Sequence, residues 1–143
     1  MKKYFVSAAV VLVLVVLSAC NGDSSSPTEP LTGRGQSFDL RVGQTVKLDG
    51  DVGVTLVGIV ADSRCPITAL CADPGFVEAE IQVRQASGGT SSGVVRLDVG
   101  KERQEVTQIG RYAFQMGKQV KPSKENTPIP QSSYEITLTA FAR

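Results

Sequence analysis

The chain has 143 residues, 41% of them apolar and 20% charged, a globular balance that allows at most one ordinary domain. It contains no histidine, which removes the usual base of serine and cysteine nucleophiles and the usual ligand of zinc. With a formal net charge of +1 and no block of like charge, nothing marks nucleic acid as a partner.

Met1-Lys2-Lys3-Tyr4 precedes an uncharged apolar run over residues 5–17. A basic start, an apolar run of this length and small residues after it make a secretory signal peptide. The run falls short of the about 20 residues that a membrane-spanning helix needs. Leu17-Ser18-Ala19-Cys20 closes the segment and resembles the lipobox of bacterial lipoprotein precursors. That resemblance implies a diacylglycerol on the thiol of Cys20, removal of residues 1–19, and acylation of the new amino terminus, as with palmitate. One acyl chain binds a bilayer marginally, whereas two or three hold it for long periods. Loss of Lys2 and Lys3 would leave 13 basic residues against 14 acidic ones. Asn21 follows the cysteine where enteric bacteria use aspartate for inner-membrane retention, so the expected location is the outer membrane, facing the periplasm.

Residues 20–36 are then the lipidated cysteine and a tether rich in Gly, Ser, Pro and Thr, which cannot bury enough surface to order itself. From residue 37 to residue 143 the pattern has a period of two. Apolar residues alternate with polar ones at Phe38, Leu40 and Val42; at Val52, Val54 and Leu56; at Val77, Ala79, Ile81 and Val83; and at Val95, Leu97 and Val99. The same pattern returns at Tyr112, Phe114 and Met116, and at Tyr134, Ile136, Leu138 and Ala140. Such alternation predicts strands with one buried face, separated by turns at 49–51, 73–75, 87–93 and 121–126. The expected fold is all-β, an antiparallel β-sandwich or small barrel of about seven or eight strands. Residues 101–106, Lys-Glu-Arg-Gln-Glu-Val, are the one stretch that favours a helix, though it is short and lies between Gly100 and Gly110.

With Cys20 committed to lipid, Cys65 and Cys71 are the two thiols left, in an oxidising compartment where disulfides persist. A zinc site lacks its histidines and second cysteine pair, and the spacing is not that of a Cys-x-x-Cys redox centre. Met116 is the only methionine of the mature chain, which gives a soft copper site no support. Asp62-Ser63-Arg64-Cys65-Pro66, followed by Cys71 and Gly75, resembles a motif of uncharacterised bacterial lipoproteins and secreted proteins. The likeness extends over most of residues 37–143, but Ala72, Asp73 and Pro74 stand where those proteins often carry tryptophan. It implies the fold and the disulfide and carries no activity.

Asp62, Ser63 and Arg64 have no histidine to serve them, so their expected role is to set the loop conformation, with a recognition surface as the functional counterpart. Asp49-Gly50-Asp51 reads as a hairpin turn, Glu78 and Glu80 as a solvated strand face, and residues 88–93 as a hairpin linker. The expectation is a lipid-anchored, non-catalytic binding or structural protein of the bacterial cell envelope, without metal or cofactor. Its partners would be the membrane, through the anchor, and an envelope protein or small ligand. The alternative is a periplasmic enzyme inhibitor that inserts a hairpin loop into a cleft.

Overall fold

The computed structural model describes residues 35–142. The expected leader over residues 1–19, the lipidated Cys20 and all of the tether but Gly35 and Gln36 lie outside that range. Within it the chain is all-β, with eight strands in chain order: β1 Gln36–Arg41, β2 Thr45–Leu48, β3 Val52–Asp62, β4 Phe76–Arg84, β5 Thr90–Asp98, β6 Val106–Ile109, β7 Tyr112–Lys121 and β8 Glu135–Ala142. They form two four-stranded antiparallel sheets, ordered β1-β8-β7-β6 and β2-β3-β4-β5. This is a sandwich and not a closed barrel.

The alternation seen in the sequence sorts the side chains. Leu40, Phe114, Met116, Ile136 and Leu138 from one sheet meet Val54, Leu56, Val77, Ile81, Val83 and Val95 from the other, all buried. These belong to one cluster that runs from Leu40 to Ala140. The chain crosses between the sheets at residues 42–44, where Gly43 N–H donates to Leu56 O at 2.8 Å and Leu56 N–H donates to Gln44 O at 3.2 Å.

Two expectations need adjustment, at residues 90–93 and at Tyr134, while the all-β reading holds at 101–106 as well. Thr90 to Gly93 belong to β5 and only residues 85–89 turn, because Gly93 lies under Ile109, where a side chain at residue 93 would collide. The helix-favouring stretch ending at Val106 forms no helix. There Gln104 folds back, accepting from Asp98 N–H at 2.9 Å and donating to Asp98 O and Lys101 O at 2.9 and 2.8 Å, so one side chain closes the loop. Tyr134 lies just outside β8, after a short 3-10 turn at Gln131–Ser133.

The register separates two poles. At one, tight turns join β2 to β3, β4 to β5 and β6 to β7, and Tyr112 reaches the Asp49 carbonyl at 3.3 Å. Gln36 pairs with Ala140 here, and Gly35 lies against Thr139 and Phe141, so the chain enters the domain at this turn pole. At the other, Arg41 and Lys121 both pair with Glu135, and Asp62 pairs with Val77. The long connections 63–75, 99–105 and 122–134 therefore gather at this loop pole.

Candidate functional site

The 63–75 connection leaves β3 at Asp62 and returns to β4 at Phe76, and its neck is closed by local hydrogen bonds. Ser63 N–H donates to Phe76 O at 2.9 Å, while the Ser63 hydroxyl accepts from Phe76 N–H at 3.0 Å. Cys65 N–H donates to Pro74 O at 3.1 Å, and Gly75 N–H to Asp73 Oδ1 at 2.8 Å. Gly75 has φ +81°, and a Cβ there would run into the Ser63 carbonyl. Only glycine meets both demands without strain. Above the neck, Cys65 and Cys71 form the expected disulfide, with Cα atoms 5.9 Å apart. Outer bonds tie the loop to the β7–β8 connection: Ile67 N–H to Lys124 O at 3.0 Å, and Asn126 Nδ2 to Thr68 Oγ1 at 3.3 Å.

Asp62, Ser63 and Arg64 do come together, as parts of a scaffold. Arg64 grips Asp62 with Nε on Oδ1 at 2.9 Å and Nη2 on Oδ2 at 2.8 Å, and its backbone N–H adds a third bond to Oδ1 at 3.2 Å. The remaining guanidinium nitrogen, Nη1, donates to Val120 O on β7 at 2.9 Å. Tyr134 donates its hydroxyl to Asp62 Oδ2 at 2.8 Å, and Lys124 Nζ lies 3.8 Å from the same oxygen. The Asp62 side chain is 5% exposed and that of Arg64 10%, so this is a buried ion pair whose hydrogen-bonding groups are satisfied. It binds the end of β3 to the end of β7 and to Tyr134, the residue before β8, across the two sheets.

The electrostatics agree. Burial pushes the Asp62 carboxyl up, but the hydrogen bonds from Arg64 and Tyr134 together outweigh it and hold the group below the usual aspartate range. Burial, then the hydrogen bond to Asp62, pushes the Tyr134 phenol up to about 12. A carboxylate this well satisfied is a poor general base, and the Ser63 hydroxyl is spent on the Phe76 backbone. Glu78 is likewise engaged, accepting from Arg96 at 2.7 Å, with Arg96 also stacked on the Phe76 ring at 3.7 Å. Both thiols near the loop are in the disulfide, and among the described residues no three His, Cys, Asp or Glu side chains gather to hold a metal.

Sequence reasoning gave Tyr134, Val120 and Lys124 no role at the site. Tyr134 lies 72 residues from Asp62, and no local pattern links them. Beside this knot runs a groove of about 420 Å³, with Arg64, Cys65 and Ile67 on one wall and Lys118, Val120 and Lys121 of β7 on the other. Two apolar residues, Ile67 and Leu70, stand exposed on the disulfide loop, Leu70 completely so. No protein-family model, curated protein or solved structure matches the chain.

Proposed function

We propose that this is a lipid-anchored protein of the bacterial cell envelope whose β-sandwich binds a partner or ligand at its loop pole and catalyses nothing. The observation that carries the reading is the polarity of the domain: the chain enters at the turn pole, and the three long connections and the groove lie at the opposite end. Loops presented by a rigid scaffold are the usual carriers of binding. The self-satisfied Asp62–Arg64–Tyr134 knot supports a structural use of the motif, leaving the groove and loop surface beside it for contact. Leu17-Ser18-Ala19-Cys20 supports the anchor, and Asn21 supports the outer membrane. Mass spectrometry of the protein purified from envelopes tests the anchor: the expected product begins at an acylated Cys20 and is two protons lighter for one disulfide. A product that retains Met1, or an unmodified Cys20, refutes it.

A second reading has its own observation. Leu70 and Ile67 project from a disulfide-closed loop, a shape that suits insertion into an enzyme cleft, as an inhibitor would do. A panel of proteases and lysozymes decides: inhibition lost in Leu70→Asp supports it, and no inhibition of any member sets it aside.

A further inference from the structure

The groove at the loop pole has a composition that its surroundings do not share. Its apolar lining includes Ile67, Pro74, Leu97, Val99 and Val120, drawn from the disulfide loop, the end of β5 and the end of β7. Its charged lining is Arg64, Lys118, Lys121 and Lys124, four cations and no carboxylate, in a chain whose basic and acidic residues nearly balance. Two of the cations are spoken for, Arg64 by Asp62 and Lys121 by Glu135 at 2.8 Å. Lys118 makes no ion pair among the described residues, and it stands exposed where the register of β7 against β8 breaks between Met116 and Val120. Lys124 lies 3.8 Å from Asp62 Oδ2, an oxygen that already accepts from Arg64 and Tyr134. Its ammonium keeps hydrogens to give.

An apolar trough with one unpaired ammonium, Lys118, and a second, Lys124, only loosely paired to Asp62 fits a ligand with an apolar chain and one negative end. We propose that the groove binds a single-chain anionic amphiphile, a long-chain carboxylate, with its chain along the accessible Ile67, Pro74 and Val99 and its headgroup at Lys118 and Lys124. A volume of about 420 Å³ lies at the small end of the range typical of ligand sites, consistent with one chain and not two. A free phosphate or sugar would leave the apolar lining wet, and a neutral chain would leave the ammonium pair unanswered. The inference rests on the binding reading above and names its ligand class.

The test uses the chain from Asn21 onward, which keeps every residue of the Leu40–Ala140 cluster, with dodecanoate, decanoate, dodecyl maltoside and acetate as probes below their micelle concentrations. Calorimetry should show dodecanoate binding tighter than decanoate, by up to about fourfold for each methylene that enters the groove. Dodecyl maltoside should bind at least about tenfold more weakly than dodecanoate and acetate not measurably, since charge and chain must both be met. Amide shifts in the unaltered protein should concentrate at residues 67, 99 and 118–124. Lys118→Glu should weaken dodecanoate at least about tenfold while the thermal midpoint holds, since Lys118 is exposed. Equal affinity for the neutral chain, shifts centred elsewhere, or no binding of dodecanoate would each overturn the proposal. The two readings fail separately, because an acylated Cys20 without dodecanoate binding removes only the ligand class, and binding without acylation removes only the anchor.

Discussion

Asp62 is the residue on which the loop pole turns, and its worth follows from what it neutralises. Arg64 is 10% exposed and takes both carboxylate oxygens, so losing the carboxylate leaves a guanidinium buried without its counter-ion. Breaking such a pair costs about 3 to 5 kcal/mol. Asp62→Asn, nearly the same size, should therefore lower the urea stability by about 3 kcal/mol; a loss below about 1 kcal/mol would mean that the pair is not structural. Its partner Tyr134 supplies a pH signature. The folded-state phenol is raised from 10.0 to about 12, so folding favours the neutral form. The associated stability is complete below about pH 10 and is lost as pH rises toward about 12, reaching about 2 kcal/mol by about pH 11.5. Wild type compared with Tyr134→Phe at about pH 9 and about pH 11.5 should show that extra loss in wild type alone. A parallel decline in both proteins would assign it to other groups. Asp62 works in the opposite direction: its carboxyl is held below 3.8 in the fold, so its stabilisation persists above about pH 4 and fades as acid titrates it.

Among the elements, β3 is the one that needs outside help. Its eleven residues outrun β2, which pairs only with Val52 to Thr55, and Val57 and Val60 are exposed on the remainder. An uncovered stretch of this kind invites pairing with another chain. Gln131 covers it, accepting from Ile59 N–H at 2.8 Å and donating to Ile59 O at 2.9 Å, as a strand neighbour would. Gln131→Ala should cost about 1 to 3 kcal/mol, accelerate amide exchange at Ile59 and promote self-association. An Ile59 amide that stays protected in the variant would show that the clamp is dispensable. Nothing in the sequence marks Gln131, since its partner is 72 residues distant. What alternation reveals is limited by strand length. The six long strands repeat the pattern visibly: β3, β4, β5, β7 and β8 each bury two or more side chains, and β1 adds the half-buried Phe38 to the buried Leu40. β2 and β6 have four residues each and bury one side chain apiece, Leu48 and Ile109, too few to form a period. At the site, the Asp62–Arg64 pair was legible because its members are two residues apart, while Tyr134 and Val120 reach it only through the fold.

For the whole molecule, the decisive quantity is the distance between the poles. β8 spans it with eight residues, about 26 Å at the rise of a strand. A flexible chain as long as residues 21–34 has a mean reach of about 20 Å, less than that separation. A chain held to a bilayer at Cys20 and joined to the domain at Gly35 should therefore keep the turn pole nearer the lipid and the groove facing away. Under the proposed anchoring, dissolved molecules would reach the groove more readily than the lipid surface would. With a fluorescent amino acid at Ser87, on the β4–β5 turn, or at Thr68, on the disulfide loop, acylated protein in vesicles should be quenched unequally by nitroxide headgroups. Ser87 should be quenched more strongly, and shortening the segment between residues 21 and 34 should widen the difference, because a shorter tether leaves less freedom to tip the domain over. Equal quenching at the two positions would mean that the tether imposes no orientation. Stronger quenching at Thr68 would place the loop pole against the membrane and make the bilayer itself the surface that Ile67 and Leu70 meet.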